Sequence, residues 1–133
     1  MTTNYFNTLI VVADDSPTDH AVVPDLTKGS VAAQQYVMIT DHPYTYTSDD
    51  VIFARVAAKE AISVEAMADA QGEYFQKGRA CLRASPLPKQ YGWGVHHDAE
   101  GKIALVAMDS PEYAALVADD SVTKTKAMRR SRA

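Results

Sequence analysis

The stretch YGWGVHHDAEGKIALVAM, residues 91–108, decides the fold because it predicts two strands joined by a tight turn. Asp98 suits the first position of a type I turn, and Gly101 suits the left-handed position that closes it. With these two positions fixed, Asp98 lies opposite Lys102 across the turn. The sequence therefore predicts a β-hairpin whose pairing register is set at residues 98–101.

The two faces of this hairpin differ because side chains alternate along a strand. One face, expected in the core, carries Tyr91, Trp93, Val95, His97, Ile103, Leu105 and Ala107. The reverse face carries Gly92, Gly94, His96 and Asp98, opposite Lys102, Ala104, Val106 and Met108. Two glycines weaken a strand unless something approaches its backbone closely. We therefore expect either a helix or a ligand in the gap at Gly92 and Gly94.

The composition is that of one globular domain. The chain has 133 residues, of which 47% are apolar and 23% charged, with Cys81 as its one cysteine. The longest apolar run, residues 9–13, is too short to cross a membrane, and no basic residue precedes it as in a secretion signal. A lone cysteine forms no intrachain disulfide, which suits a reducing compartment. We expect a cytoplasmic protein without a membrane segment.

Charge is divided unevenly along the chain. Of the 13 lysines and arginines, five lie in residues 121–133, which contain no acid. Residues 1–120 therefore hold eight basic side chains against 17 acidic ones. Three roles are open to such a basic tail: folding back on its own body, docking on a neighbouring subunit and binding a polyanion. We favour folding back on its own body. Because few basic residues remain on the body, we do not expect nucleic-acid binding.

Three segments carry helix start signals, in which a serine precedes the first helical residue. Helices are expected at 31–39 after Ser30, at 64–77 after Ser63 and at 111–118 after Ser110. Gly78 stands where a left-handed residue would end the second of these helices. The caps thus predict the helical part of the domain.

The remaining elements are expected to be strands. Residues 8–13 are short, apolar and β-branched, which is typical of a central strand covered on both faces. Residues 80–84 are expected to be a strand, followed by a link at SPLP. Residues 51–57 fit either a strand or an alanine-rich helix that begins at Ser48, and we favour the strand. Together these elements predict a single α+β domain, with a mainly antiparallel sheet of about four or five strands and two or three helices packed on it.

A set of polar side chains near the hairpin suggests a binding site. The candidate ligand-binding residues are Arg83, Ser85, Lys89, Tyr91, His96 and Asp98. Guanidinium, ammonium and imidazole groups around the glycine gap would offer converging donors to a carboxylate or phosphate. Arginine on a strand also pairs with neighbouring carboxylates as ordinary surface, so this alternative stays open. Tyr44 and Tyr46 are expected in packing or at the lip of a pocket.

An enzyme is the alternative interpretation of the same residues. His96 would act as general base with Asp98 orienting it, or Ser85 would act as nucleophile. Neither Ser85 nor Cys81 sits on a strained, glycine-flanked turn, and Cys81 is expected to be a small buried side chain.

Metal binding and cofactor binding are not expected. Neighbouring His96 and His97 point to opposite faces of a strand and cannot hold one ion. Further ligands would have to come from residues in no recognised metal-binding spacing, namely His20, His42, Asp49 or Asp50. The chain also lacks a phosphate-binding glycine loop and a glycine-rich turn of dinucleotide type.

Several segments together resemble a known family. NYFNTLI, YTSDDV, RASPLPKQYGWGVHHDAEGKIAL and the ending KAMRRSRA are similar to a family of small uncharacterised bacterial proteins, a domain of unknown function with a RASPLxKxYGWGxHxD block. The resemblance implies a complete protein and assigns no catalytic or binding residue. The residues themselves favour a small-anion-binding module or a protein-interaction module, such as a homodimer formed through the hairpin or the tail, over an enzyme.

Overall fold

The computed structural model describes residues 1–129, which form a four-stranded mixed sheet with helices on both faces. The strands are β1 (Thr8–Val11), β2 (Trp93–His97), β3 (Ile103–Ala107) and β4 (Thr123–Lys126). The helices are α1 (Val31–Asp41), α2 (Ser48–Glu60), α3 (Met67–Tyr74), α4 (Pro86–Gln90) and α5 (Pro111–Ala118). The strand order is β3-β2-β1-β4; β1 pairs antiparallel with β2 and parallel with β4. The predicted α+β class is confirmed.

The hairpin has the predicted register. Val95 lies opposite Leu105, so the predicted apolar face is continuous across the two strands. Gly101 has a φ of 81° and its N–H donates to the carbonyl of Asp98 at 3.1 Å. The N–H of Asp98 in turn donates to the carbonyl of Lys102 at 2.9 Å. Asp98 and Gly101 therefore occupy the turn positions that the sequence predicts for them.

The core lies between the apolar face of the sheet and the helices that cover it. Its fully buried members include Ile10, Ile39, Val51, Leu82, Leu87, Val95 and Ile103. α1 contacts β3 and α4 contacts β2 on this face. β1 is an inner strand, as predicted, and both Leu9 and Ile10 are fully buried. The sheet is thus covered on its two sides by different elements.

Two of the predicted helix starts are confirmed by their caps. The Ser30 hydroxyl accepts from the N–H of Ala33 at 3.1 Å, and the Ser110 hydroxyl accepts from the N–H of Tyr113 at 3.2 Å. Each cap satisfies one of the N–H groups that a helix start leaves unpaired. The predicted helix at 64–77 is shorter than expected, since α3 spans Met67–Tyr74. Gly78 is not left-handed, and the helix ends earlier, at Phe75.

The prediction of a strand at 51–57 is wrong, because these residues lie inside α2. The helix begins with a reciprocal cap. The Thr47 hydroxyl accepts from the N–H of Asp50 at 3.2 Å, and the Asp50 carboxylate accepts from the N–H of Thr47 at 3.0 Å. This reciprocal cap fixes the first turn of α2. The alanines that follow extend the helix despite the β-branched residues between them.

The predicted strand at 80–84 is also wrong. Leu82–Ala84 form a single 3-10 turn, and the SPLP segment is the start of α4 rather than a link. The Ser85 hydroxyl accepts from the N–H of Leu87 at 3.2 Å, and Pro86 occupies the first helical position. A serine cap followed by proline is a strong helix start, which here outweighs the short apolar pattern before it.

The first part of the basic tail belongs to the sheet. Lys124 and Lys126 lie in β4, and the Lys126 ammonium is 3.1 Å from the Asp14 carboxylate. Residues 123–128 thus contact the body of their own chain. Arg130 and Arg132 lie outside the described residues. Among residues 1–129, no helix has the length and apolar character that a membrane span requires.

Candidate functional site

The gap at the two glycines is filled by the protein itself. A Cβ atom placed on Gly94 would lie 2.7 Å from the ring of Tyr113, which belongs to α5. A Cβ atom on Gly92 would lie 2.4 Å from the backbone carbonyl oxygen of His20. The helix expected at this face is thus present at Gly94, whereas at Gly92 the close approach comes from a loop backbone. A ligand at the backbone of these two glycines would have to displace both contacts.

The cationic candidates near the hairpin do not converge. The Arg83 Nε donates to the carbonyl of Lys126 at 2.6 Å, and the N–H of Met128 donates to the carbonyl of Arg83 at 2.8 Å. Arg83 thus anchors the C-terminal segment. Lys89 lies in the last turn of α4, and Tyr91 ends that helix and packs against the core.

Ser85, by contrast, lies in a cavity of about 270 Å³ between α1, α2 and the segment before α4. The apolar part of its wall is formed by Val31, Ile52, Val56, Tyr74, Leu82 and Pro86. The polar part is formed by Gln35, Arg55, Cys81 and Ser85. Small-molecule sites combine mostly apolar walls with a few placed polar groups, and this cavity has that composition.

The floor of the cavity holds a donor without a partner. The Ser85 hydroxyl already accepts from the N–H of Leu87, so its own proton goes to Gln35 Oε1, 2.6 Å away. This bond fixes the orientation of the Gln35 amide and leaves Nε2 as the free end. Gln35 is only 7% exposed, and Nε2 has no hydrogen bond within the described part of the chain. The buried side-chain atoms without a partner in the described residues are those of His97, so Nε2 is open to solvent at the cavity and available to a ligand acceptor.

Arg55 lines the same cavity and carries a positive charge. Its Nη1 donates to the carbonyl of Gly29 at 3.0 Å and to Gln34 Oε1 at 3.1 Å, both of which are neutral acceptors. The ion pairs found within residues 1–129 involve other side chains, so no carboxylate there neutralises Arg55. The two neutral contacts hold the guanidinium in place while its remaining N–H groups stay available. A fixed, uncompensated guanidinium is suited to bind an anion.

Cys81 lies on the same wall, next to Tyr5. The Tyr5 hydroxyl is 3.3 Å from Cys81 Sγ, and the Tyr5 ring contacts the His97 ring edge-on at 5.3 Å. Burial and the neighbouring thiol raise the pKa of Tyr5 above its usual value. Tyr5 therefore remains a neutral hydroxyl beside the cavity, and the thiol is half-buried rather than inert in the core.

His96 and Asp98 are brought together, with Tyr44 as a third member. The Tyr44 hydroxyl is 2.8 Å from His96 Nδ1, and the two rings meet edge-on. Burial lowers the pKa of His96, while the charge of Asp98 acts in the opposite direction. Burial, aided by Asp98, raises the pKa of Tyr44. The Asp98 carboxylate itself is used by the turn, where it accepts from the N–H groups of Glu100 and Lys102.

Sequence reasoning did not single out two residues that line the cavity, Arg55 and Gln35. Arg55 was placed in the wrongly predicted strand at 51–57, although the TSDD pattern at 47–50 is typical of a capped helix start. Gln35 lies in the predicted helix at 31–39, and nothing in the sequence links it to its partner Ser85, fifty positions away. Tyr44 was expected in packing or at the lip of a pocket, but its hydrogen bond to His96 and its left-handed φ of 55°, uncommon for a bulky residue, were not expected.

Residues 1–129 form a small α+β domain with a polar-floored cavity between α1 and α2. The chain belongs to the family of unknown function DUF6157, whose model matches residues 1–133. No curated protein and no solved structure matches the chain.

Proposed function

We propose that this protein binds a small organic anion in the cavity between α1, α2 and residues 80–86. The observation that carries the proposal is the arrangement at the floor, where Ser85 fixes the Gln35 amide and no hydrogen bond to Nε2 is found among residues 1–129. Arg55 provides the charge, and the apolar walls provide a surface for the carbon part of the ligand. A carboxylate or phosphate matches these donors because its oxygens accept from both the guanidinium and the amide.

The size of the cavity supports a small ligand. Its volume of about 270 Å³ lies just under the usual range for drug-sized ligands. Because residues 1–120 carry an excess of acidic side chains, an anion is attracted to this protein only where a local cation outweighs that field. Arg55 is such a cation. We therefore place anion recognition at Arg55 and Gln35 rather than at Arg83 and Lys89.

Arg55→Met is expected to weaken binding about 10- to 100-fold, because a charge-assisted hydrogen bond contributes about 1.5–3 kcal/mol. The measurement is isothermal titration calorimetry with acetate, succinate and inorganic phosphate as probes. Lys77→Met removes the same charge at an exposed position outside the cavity and serves as the matched control. Equal affinities in the two variants, or no heat with any of the probes, would contradict the proposal.

A second candidate function is general acid–base catalysis at the Tyr44–His96 pair. The specific observation is the 2.8 Å hydrogen bond between the two side chains, held by a Tyr44 backbone in a conformation that tyrosine rarely adopts. Strained backbone is concentrated at functional sites. The lowered pKa of His96 keeps its imidazole neutral near pH 7, as a general base requires. Ser85 is not its nucleophile, because its hydroxyl is used by Leu87 and Gln35.

If this pair is catalytic, a screen of chromogenic carboxyl and phosphate esters is expected to find turnover that His96→Asn lowers about 100-fold or more. His42→Asn removes an exposed imidazole elsewhere and is the matched control. Turnover that survives in His96→Asn would contradict a catalytic role. Absence of turnover with every ester would leave the anion-binding function alone as the account of this chain.

The finer parts of the family resemblance also remain proposals. We place the protein in the bacterial cytoplasm, where a free thiol such as Cys81 stays reduced. We further propose that RASPLxKxYGWGxHxD is the signature of the family, because this block supplies Ser85 to the cavity and His96 to the second site.

A further inference from the structure

A surface depression adjoins the cavity that contains Ser85. It encloses about 280 Å³ and is lined by Gly29, Gln34, Arg55, Ala58 and Lys59. Arg55 also lines the cavity that contains Ser85, so the two spaces meet at its guanidinium. We call that cavity the inner cavity and the depression the outer depression.

Two neighbouring glutamines of α1 line these spaces, and a protein donor already occupies the oxygen of each amide. Gln34 Oε1 accepts from Arg55 Nη1 at 3.1 Å, and Gln35 Oε1 accepts from the Ser85 hydroxyl at 2.6 Å. Each bond fixes the orientation of its amide, so Nε2 is the end that remains. Among residues 1–129 no hydrogen bond is found in which either Nε2 donates. The inner cavity and the outer depression thus each have an amide donor for a ligand oxygen.

The charge of the two spaces is opposite in sign to that of the body. Arg55 and Lys59 line them, and none of the described residues that line them is an aspartate or glutamate. Residues 1–120 carry eight basic side chains against 17 acidic ones, so a lining with two cations and no acid differs from the chain as a whole. The ion pairs found within residues 1–129 involve neither cation. A second anionic group at Lys59 would therefore meet a local charge of opposite sign.

The spacing of the two cations sets the length of such a ligand. Arg55 and Lys59 lie four positions apart in α2 and therefore share one face of the helix. Four residues advance a helix by about 6 Å along its axis. Two anionic groups bound at these cations would be separated by a distance of this order, which a chain of a few carbon atoms spans. Lys59 is exposed in the last turn of α2, so its long side chain can turn towards a ligand.

We propose that the ligand is a dicarboxylate with a short carbon chain, and that Lys59 and Gln34 select for its second carboxylate. This inference rests on the proposed anion-binding function and names its ligand class. The first carboxylate binds Gln35 and Arg55 in the inner cavity. The second binds Lys59 and the Gln34 amide in the outer depression. The guanidinium between them has several N–H donors in one plane and can donate to both carboxylates.

The test is isothermal titration calorimetry of the full chain at low ionic strength with succinate and with monomethyl succinate, which has a similar length but one carboxylate. We expect wild type to bind succinate about fivefold more tightly than the ester, because the second carboxylate adds an exposed charge pair. Lys59→Met is expected to weaken succinate binding about three- to fivefold and to leave binding of the ester unchanged. Lys59→Arg keeps the charge and should keep the preference. Lys77→Met, at an exposed position outside both spaces, is the matched control.

Succinate and its monomethyl ester distinguish selection of a dicarboxylate from anion binding in general. Equal affinities of wild type for the two ligands would overturn the selection and leave anion binding intact. A loss in Lys59→Met that is equal for both ligands would overturn it as well, because Lys59 would then act on any anion through its charge alone. Absence of heat with both ligands, and with acetate, would contradict the proposed function itself and this inference with it.

Discussion

Between pH 6.5 and pH 4 the protein is expected to lose about 3 kcal/mol of its free energy of unfolding through His97 alone. His97 is fully buried in β2, and neither ring nitrogen has a hydrogen-bond partner within the described part of the chain. Burial lowers its pKa from 6.5 to about 4, although backbone groups of Val95 and Thr8 oppose the shift in part. The folded state therefore holds a neutral imidazole over this range.

The direction of the pH dependence follows from which state binds the proton. In the unfolded chain His97 becomes protonated as the pH falls through its ordinary pKa near 6.5, whereas the folded chain resists protonation down to about 4. Below pH 6.5 the unfolded state thus binds more protons, and stability falls with the pH. The slope is about 1.4 kcal/mol per pH unit for one group. Above pH 6.5 His97 contributes no pH dependence.

His97→Leu is expected to remove this slope, because leucine fills a similar space and has no proton to bind. Urea denaturation at pH values of about 7, 5.5 and 4.5 measures the free energy of unfolding. His42→Leu, at an exposed position, is the matched control and should keep the wild-type slope. A His97→Leu protein that loses stability in acid as steeply as wild type would show that other groups cause the loss.

Gly92→Ala is expected to destabilise the protein by about 2–4 kcal/mol, combining backbone strain with an overpacked contact. Gly92 has a φ of 76°, which disfavours any residue with a Cβ atom. A Cβ there would lie 2.4 Å from the carbonyl oxygen and 2.9 Å from the carbonyl carbon of His20. Backbone cannot turn away as a flexible side chain can, so the segment around His20 must move.

The control for this prediction is Gly72→Ala in α3. A Cβ on Gly72 would meet nothing within 4 Å, and its backbone has no positive φ. Alanine there is expected to stabilise the protein by up to about 1 kcal/mol, because it favours helix more than glycine does. Thermal and urea denaturation of both variants measure the difference. If Gly92→Ala unfolded like wild type, the close approach at His20 would be wrong.

The hairpin was predictable from sequence because its causes are local. The turn at Asp98 and Gly101 fixes the register, and alternation then assigns each side chain to a face. His97 accordingly lies in the core and His96 on the reverse face. The helix starts at Ser30 and Ser110 were predictable for the same reason, since a cap acts within its own turn.

The errors arose where local signals conflicted. Residues 51–57 contain valine, isoleucine and phenylalanine, which favour strand, yet the cap at Thr47 and Asp50 starts a helix before them. Residues 80–84 are apolar enough for a strand, but a serine and proline directly after them start α4. In both cases the helix start outweighs the propensity of a few residues.

The candidate site was only partly predictable, because it depends on contacts between distant segments. Ser85 was singled out as a polar residue, but its hydroxyl serves the Gln35 amide rather than chemistry of its own. Arg83 was singled out for its charge, but its Nε donates to the carbonyl of Lys126 and the residue lies outside the cavity that contains Ser85. Whether a cation is free or engaged depends on its neighbours in space, and the spacing of residues along the chain does not contain that information.

The central claim is that Gln35 and Arg55 form an anion site, and side-chain amide NMR tests it most directly. In a titration with acetate, succinate and phosphate, the Gln35 Nε2 and Arg55 Nε resonances are expected to shift together and to saturate with one affinity. Ser85→Ala, which releases the Gln35 amide, is expected to reduce both the shift and the affinity. Resonances of Gln35 and Arg55 that stay unchanged with all three anions would contradict the claim.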